Sequence, residues 1–196
     1  MQRSYPPLAQ QTLAGGRVGV PEASGTERVR VDSPALDVMT DLRHVPAATI
    51  STETSFREAH QIMRLRGVRL LLVVDAQRQV VGVLTAADLL GERPIRVAQQ
   101  RGGRIDDLSV ANLMTPLAAM EAVSLSDVAR SEVGHVLATL SRAGRHHALV
   151  LERGADGEDL IRGIFSAAQI ARQLGVPMEG AEIARNFAEI EAAIAA

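Results

Sequence analysis

Two stretches of this chain are near copies of one another, Gly82-Val-Leu-Thr85-Ala-Ala-Asp88-Leu and Gly163-Ile-Phe-Ser166-Ala-Ala-Gln169-Ile. A repeated supersecondary signature confines the fold to two similar units. In each copy an apolar strand end, Val80 to Leu84 or Ile161 to Phe165, runs into a hydroxyl residue and then a helical pattern. Thr85 with Asp88, and Ser166 with Gln169, have capping-box spacing, in which the hydroxyl accepts from the third backbone N–H and the third side chain reaches back. The same turn leaves helix N–H groups and a positive dipole end facing outward, where a phosphate binds. Capping and phosphate binding both fit this stretch taken alone.

The surrounding chain carries the repeat further. Ser55 and Glu58 have capping-box spacing at the start of a helix whose stripe is Phe56, Ala59, Ile62, Met63 and Leu65, ending at Gly67. Leu70 to Val74 is too short for a helix between Gly67 and the polar turn at 75–79, so it reads as a buried strand paired with Val80 to Leu84. With a brief strand at Ala47 to Ile50, the order is strand, helix, strand, strand, helix. The order then restarts. Leu113-Met114-Thr115 follows Val38-Met39-Thr40 by 75 positions, Gly144 follows Gly67 by 77, and Gly163 follows Gly82 by 81. The growing offset assigns the additions to loops, chiefly a longer hairpin turn at 152–160. Val29 and Val31 alternate with Arg28 and Arg30 as a short edge strand, and Ser33-Pro34 reads as an N-cap and first helical position for a helix from Pro34 to about Thr40.

Composition narrows the function. The chain has 196 residues, 46% of them apolar, which is enough for a substantial core. Its 21 basic side chains are all Arg, spread among 23 acids, and a net charge of −2 gives no general electrostatic reason to bind nucleic acid. The absence of Cys removes disulfides, thiol nucleophiles and Cys-based zinc sites. No apolar run is long enough to span a bilayer and no signal-peptide pattern opens the chain, so a cytoplasmic location is expected. His44, His60 and His135 lack metal-ligand spacing, and no Walker A loop, Rossmann fingerprint or nucleophile elbow occurs. Arg93, Arg96, Arg101 and Arg104 surround the connector and read as a solvated face.

Taken together, the paired Met-Thr segments, Gly67-Val-Arg-Leu-Leu-Leu-Val-Val-Asp75 and the two copies of the opening stretch resemble a tandem pair of cystathionine β-synthase (CBS) domains over about residues 35 to 175. The resemblance implies an α/β (α+β) fold of two βαββα units packed about a pseudo-two-fold axis, with two clefts that in many members bind adenine nucleotides. It divides the chain into an N-terminal arm over 1–34, a first unit over 35–91, a connector over 92–109, a second unit over 110–176 and a C-terminal helix over 177–196. By resemblance Thr85 and Ser166 contact phosphate, and Asp88 accepts from both ribose hydroxyls. Gln169 stands at the Asp position of the second copy, so unequal sites are expected, the Asp88 site being the stronger. Arg69, His146 and His147 fall where family members place phosphate-binding side chains. Thr40, Ala48, Ile50 and Thr115 fall near the adenine or ribose.

The expectation is therefore a regulatory module and not an enzyme, with an adenine nucleotide as regulatory ligand and no tightly bound cofactor or metal. A homodimer and an unidentified protein partner are expected, with no membrane and no nucleic acid. The alternative is an adaptor that uses the pair as a dimerisation scaffold. A seam of Ile183, Phe187, Ile190 and Ile194 would dock the C-terminal helix on its own domain or on a partner subunit.

Overall fold

The structure, a computed structural model, describes residues 29–176. The body of the N-terminal arm and the C-terminal seam expected from the sequence lie outside the described residues. In chain order come β1 (Thr40–Asp41), β2 (Thr49–Ser51), α1 (Phe56–Arg66), β3 (Leu70–Val74), β4 (Val80–Thr85), α2 (Ala86–Leu90), α3 (Arg93–Arg101) and α4 (Val110–Leu113). Then follow β5 (Thr115–Pro116), β6 (Ala122–Ser124), α5 (Leu125–Val128), α6 (Val133–Ala143), β7 (His147–Arg153), β8 (Asp159–Ser166) and α7 (Ala167–Gln173). Each unit is a βαββα element set: β2, α1, β3, β4, α2 in one and β6, α6, β7, β8, α7 in the other.

Local chemistry sets the helix limits. Ser55 accepts the Glu58 N–H at 3.3 Å to open α1, and both α1 and α6 stop at glycines in the left-handed region, Gly67 (φ 63°) and Gly144 (φ 59°). Of the expected α1 stripe, Ala59 and Met63 are buried, whereas Leu65 is 77% exposed. At the front of the described chain the expected edge strand is a turn instead. Ser33 Oγ accepts from Arg30 N at 2.9 Å rather than capping a helix, and a short 3-10 turn, Ala35–Val38, follows.

The strands form two four-stranded sheets, in the orders β2-β3-β4-β5 and β1-β8-β7-β6. Each sheet therefore ends on a strand from the leading segment of the other unit. Thr115 lies opposite Val83 and Pro116 opposite Gly82, while Thr40 lies opposite Ile164 and Asp41 opposite Gly163. The cores follow the exchange: Ala35 and Val38 are buried with Val133 and Leu140, and Val110 and Leu113 are buried with Ala59 and Leu71. Backbone bonds repeat the relation in both directions, Phe56 N to Leu108 O and Val133 N to Ser33 O, each at 2.9 Å. Reciprocal contacts of this kind are a pseudo-two-fold arrangement.

The exchange also explains the glycine that opens each repeated stretch. A Cβ on Gly82 would lie 2.6 Å from the Thr115 carbonyl oxygen, and one on Gly163 would lie 2.6 Å from Met39 Sδ. Between the sheets a third cluster buries Leu70, Leu72, Val83 and Leu149, while Leu71 and Val73 point to the opposite face under the helices. Both faces of β3 are covered, which is why that strand is apolar throughout. The second hairpin differs from expectation, because its turn, 154–158, is no longer than the first, 75–79. The added residues lengthen β7 and β8.

Candidate functional site

Two cavities flank the meeting of the units. The first, of about 210 Å³, is lined by Arg69, Thr85, Asp88, Thr115, His146 and His147, among others. The second, of about 350 Å³, is lined by Thr40, Ala48, Arg69, His147, Ser166 and Gln169, among others. Arg69, Leu70, His147, Ser166 and Ala168 belong to both linings. The cavities thus share a wall. Ile50 lines neither; it is the central residue of β2, 4% exposed, and its side chain is part of the first unit's core.

At the mouth of α2 the capping geometry is complete. Asp88 N donates to Thr85 Oγ1 at 3.3 Å, while Asp88 Oδ2 accepts from Thr85 N at 2.9 Å and from Thr85 Oγ1 at 2.7 Å. The remaining oxygen, Oδ1, accepts from Arg93 Nη1 at 2.6 Å. That guanidinium also donates to Thr115 Oγ1 at 3.3 Å and to the Met114 carbonyl at 2.8 Å. Arg93 is therefore not part of a solvated face. It ties α3 to the carboxylate of one element and the backbone of another, a link that residue spacing along the chain does not disclose.

The second copy is built differently. Ser166 makes no side-chain cap bond to α7, so the expected box with Gln169 does not form. Gln169 Oε1 instead accepts from Thr40 Oγ1 at 3.2 Å, across the exchanged strand. A neutral amide carbonyl occupies the place of the Asp88 carboxylate, and the two clefts differ in charge as well as shape.

The shared wall is basic. The amides that begin α2 and α7 are matched across the pseudo-axis: Ala86 N donates to Arg69 O and Ala167 N to His146 O, both at 2.9 Å. His146 precedes β7 while His147 is its first residue and lies opposite Ser166, so strand alternation does not separate the two rings and both reach the first cavity. Burial pushes His147 down to about 4, with the charges of His146 and Arg69 acting in the same direction. Burial, then Arg69, also lowers His146. The imidazoles are neutral near pH 7, so the fixed charge of the shared wall comes from Arg69, to which Arg145 adds in the first cavity alone. Arg145, Met120 and, in the second cavity, Arg172 are lining residues that sequence reasoning missed. Arg145 stood in plain view directly after the helix-ending Gly144; Arg172 follows Gln169 by three, one helical turn.

A two-unit α/β module with exchanged leading strands and paired clefts at the unit interface is the class of protein this geometry defines. Residues 35–94 match the CBS domain family. The fold is shared with an uncharacterized conserved protein from Pyrococcus horikoshii, at 22% identity and a TM-score of 0.54, over 78% of this chain and 100% of that one. It is shared also with the CBS-domain containing protein ATU1752 from Agrobacterium tumefaciens, at 18% identity and 0.50, over 69% and 93% of the chains. A third is the CBS domain pair of protein MJ0100 in complex with 5-methylthioadenosine and S-adenosyl-L-methionine, at 20% identity and 0.50, over 73% and 96%. No curated protein matches the chain. The described residues have the fold of a CBS-domain pair, and the family match itself covers residues 35–94. Among the described residues no helix is long and apolar enough to cross a membrane.

Proposed function

We propose that this chain is a regulatory module, not an enzyme, that binds an adenine nucleotide in the first cavity and passes its occupancy to a protein partner or a dimer mate. The observation that carries the reading is the meeting, in one cavity, of the Asp88 carboxylate and the Thr85 hydroxyl with a wall of Arg69, Arg145, His146 and His147. A carboxylate accepts from both hydroxyls of a ribose, and each hydrogen bond to a charged group contributes on the order of 1.5–3 kcal/mol. The cationic wall suits a phosphate. Thr115 and Met120 lie on the nucleoside side of the same cavity in this reading. Support also comes from the MJ0100 pair, whose two ligands both contain adenosine. The second cavity, with Gln169 hydrogen-bonded to Thr40, is the weaker site.

Calorimetry with AMP, ADP, ATP and S-adenosylmethionine tests the reading. A ligand at a hundred times its Kd adds about 2.7 kcal/mol to stability, which raises Tm by several degrees. Asp88→Ala is expected to weaken binding by at least about tenfold, the loss of one charge-assisted hydrogen bond, while Gln169→Ala leaves the tighter site within about twofold. Equal losses in the two variants would sink the unequal-site assignment. No binding of any of the four would leave the adaptor reading, in which the pair serves as a dimerisation scaffold.

A further inference from the structure

We propose that Arg93 is a positioning residue that gates the first cavity: it holds the Asp88 oxygen that a ribose diol needs, so ligand and helix α3 compete for one carboxylate. This rests on the nucleotide reading of that cavity and adds its regulation.

The argument begins with acceptor capacity. An ionised carboxylate has about four lone-pair directions. Three are used: two on Oδ2 by Thr85 N and Oγ1, at 2.9 and 2.7 Å, and one on Oδ1 by Arg93 Nη1, at 2.6 Å. A diol brings two donors. The bonds from Thr85 belong to the cap that starts α2, whereas the bond from Arg93 is the one of the three that reaches Asp88 from another helix. It is also the easier one to give up. The Arg93 side chain is 38% exposed, so its guanidinium can turn to water without burying an unpaired charge. The Asp88 side chain, 15% exposed and lining the cavity, stays in place.

Release has a mechanical consequence. The same guanidinium clamps the Met114 carbonyl at 2.8 Å and Thr115 Oγ1 at 3.3 Å, which joins α3 to the leading segment of the second unit. When a diol takes Oδ1, α3 loses its ionic anchor and its tie to β5 weakens. The device belongs to one cleft. The position equivalent to Arg93 in the second unit, 81 residues on as Gln169 is from Asp88, is Leu174, which packs on that unit's core.

The test compares AMP with 2′,3′-dideoxy-AMP on the full chain and on Arg93→Ala and Arg93→Gln, the latter keeping a donor for the Met114 carbonyl. Calorimetry gives the ratio of the two affinities, and hydrogen exchange reports on residues 93–101. The preference for AMP should rise roughly two- to fivefold in both variants, the range of a partly exposed ion pair. AMP should speed exchange over 93–101 in the parent chain and leave it unchanged in Arg93→Ala, where α3 is already released. AMP binding with an unchanged or lowered preference overturns the gate alone, as does parent-chain exchange that AMP does not alter. If neither the parent nor either variant binds either nucleotide, the reading of the cavity falls and the gate with it.

Discussion

His147 occupies the wall between the two cavities, and its protonation is a stability switch at the scale of a single residue. Its folded value, about 4, lies below the ordinary 6.5 because burial disfavours the imidazolium. Between those values the unfolded chain binds a proton that the folded chain does not. Stability is therefore lost as pH falls from about 6.5 toward about 4, and this contribution is flat above and below that window. The fall in Tm from pH 7 to pH 5 should be smaller in His147→Asn than in the parent. Equal falls would show that this ring titrates as if in water. His146 shifts in the same direction and leaves part of the pH dependence in the variant. The pairing of Asp with Arg93 in one cleft and of Gln with Thr40 in the other is likewise a one-residue difference with a different network behind it.

At the scale of elements, Gly82 is the contact on which strand exchange depends. Its Cα faces the Thr115 carbonyl at a distance that no Cβ tolerates, and backbone cannot step aside. Gly163 meets chiefly the flexible Met39 side chain, with the Thr40 oxygen at 3.1 Å. Gly82→Ala should destabilise by about 1–3 kcal/mol, the range of overpacking, and by more than Gly163→Ala. Urea midpoints of the two variants check the order, and a reversed order would mean that β5 adjusts more readily than Met39. These elements also show what was legible in the sequence. Leu70 to Val74 was readable because length and flanking turns leave an all-apolar pentamer no other structure. The Thr85–Asp88 box was readable because its partners are three residues apart. Strand exchange was not, since the leading segments find their partners in the other unit, and local periodicity carries no information about a pairing so distant. Arg93 was hidden for the same reason: its anchor on Met114 lies 21 residues away. The unformed Ser166 box shows the converse, a sound local pattern displaced when Thr40 captures the Gln169 carbonyl.

For the whole molecule, the two units are one folding body. A fragment of residues 35–94 would keep Ala35 and Val38 with nothing to cover them and would lack Leu108, Val110, Leu113 and the β5 strand. Circular dichroism in urea should show one cooperative transition for the full chain and none for that fragment as a monomer. A sharp transition in the fragment would show that the first unit is self-sufficient. In evolutionary terms the exchange is a commitment. Each half carries a piece of its neighbour's interior, so a lineage that lost either copy would lose both. The clefts are under no such bond, because their polar side chains are not what the interiors are made of. A carboxylate in one copy and an amide in the other are thus carried by halves that can only be inherited together.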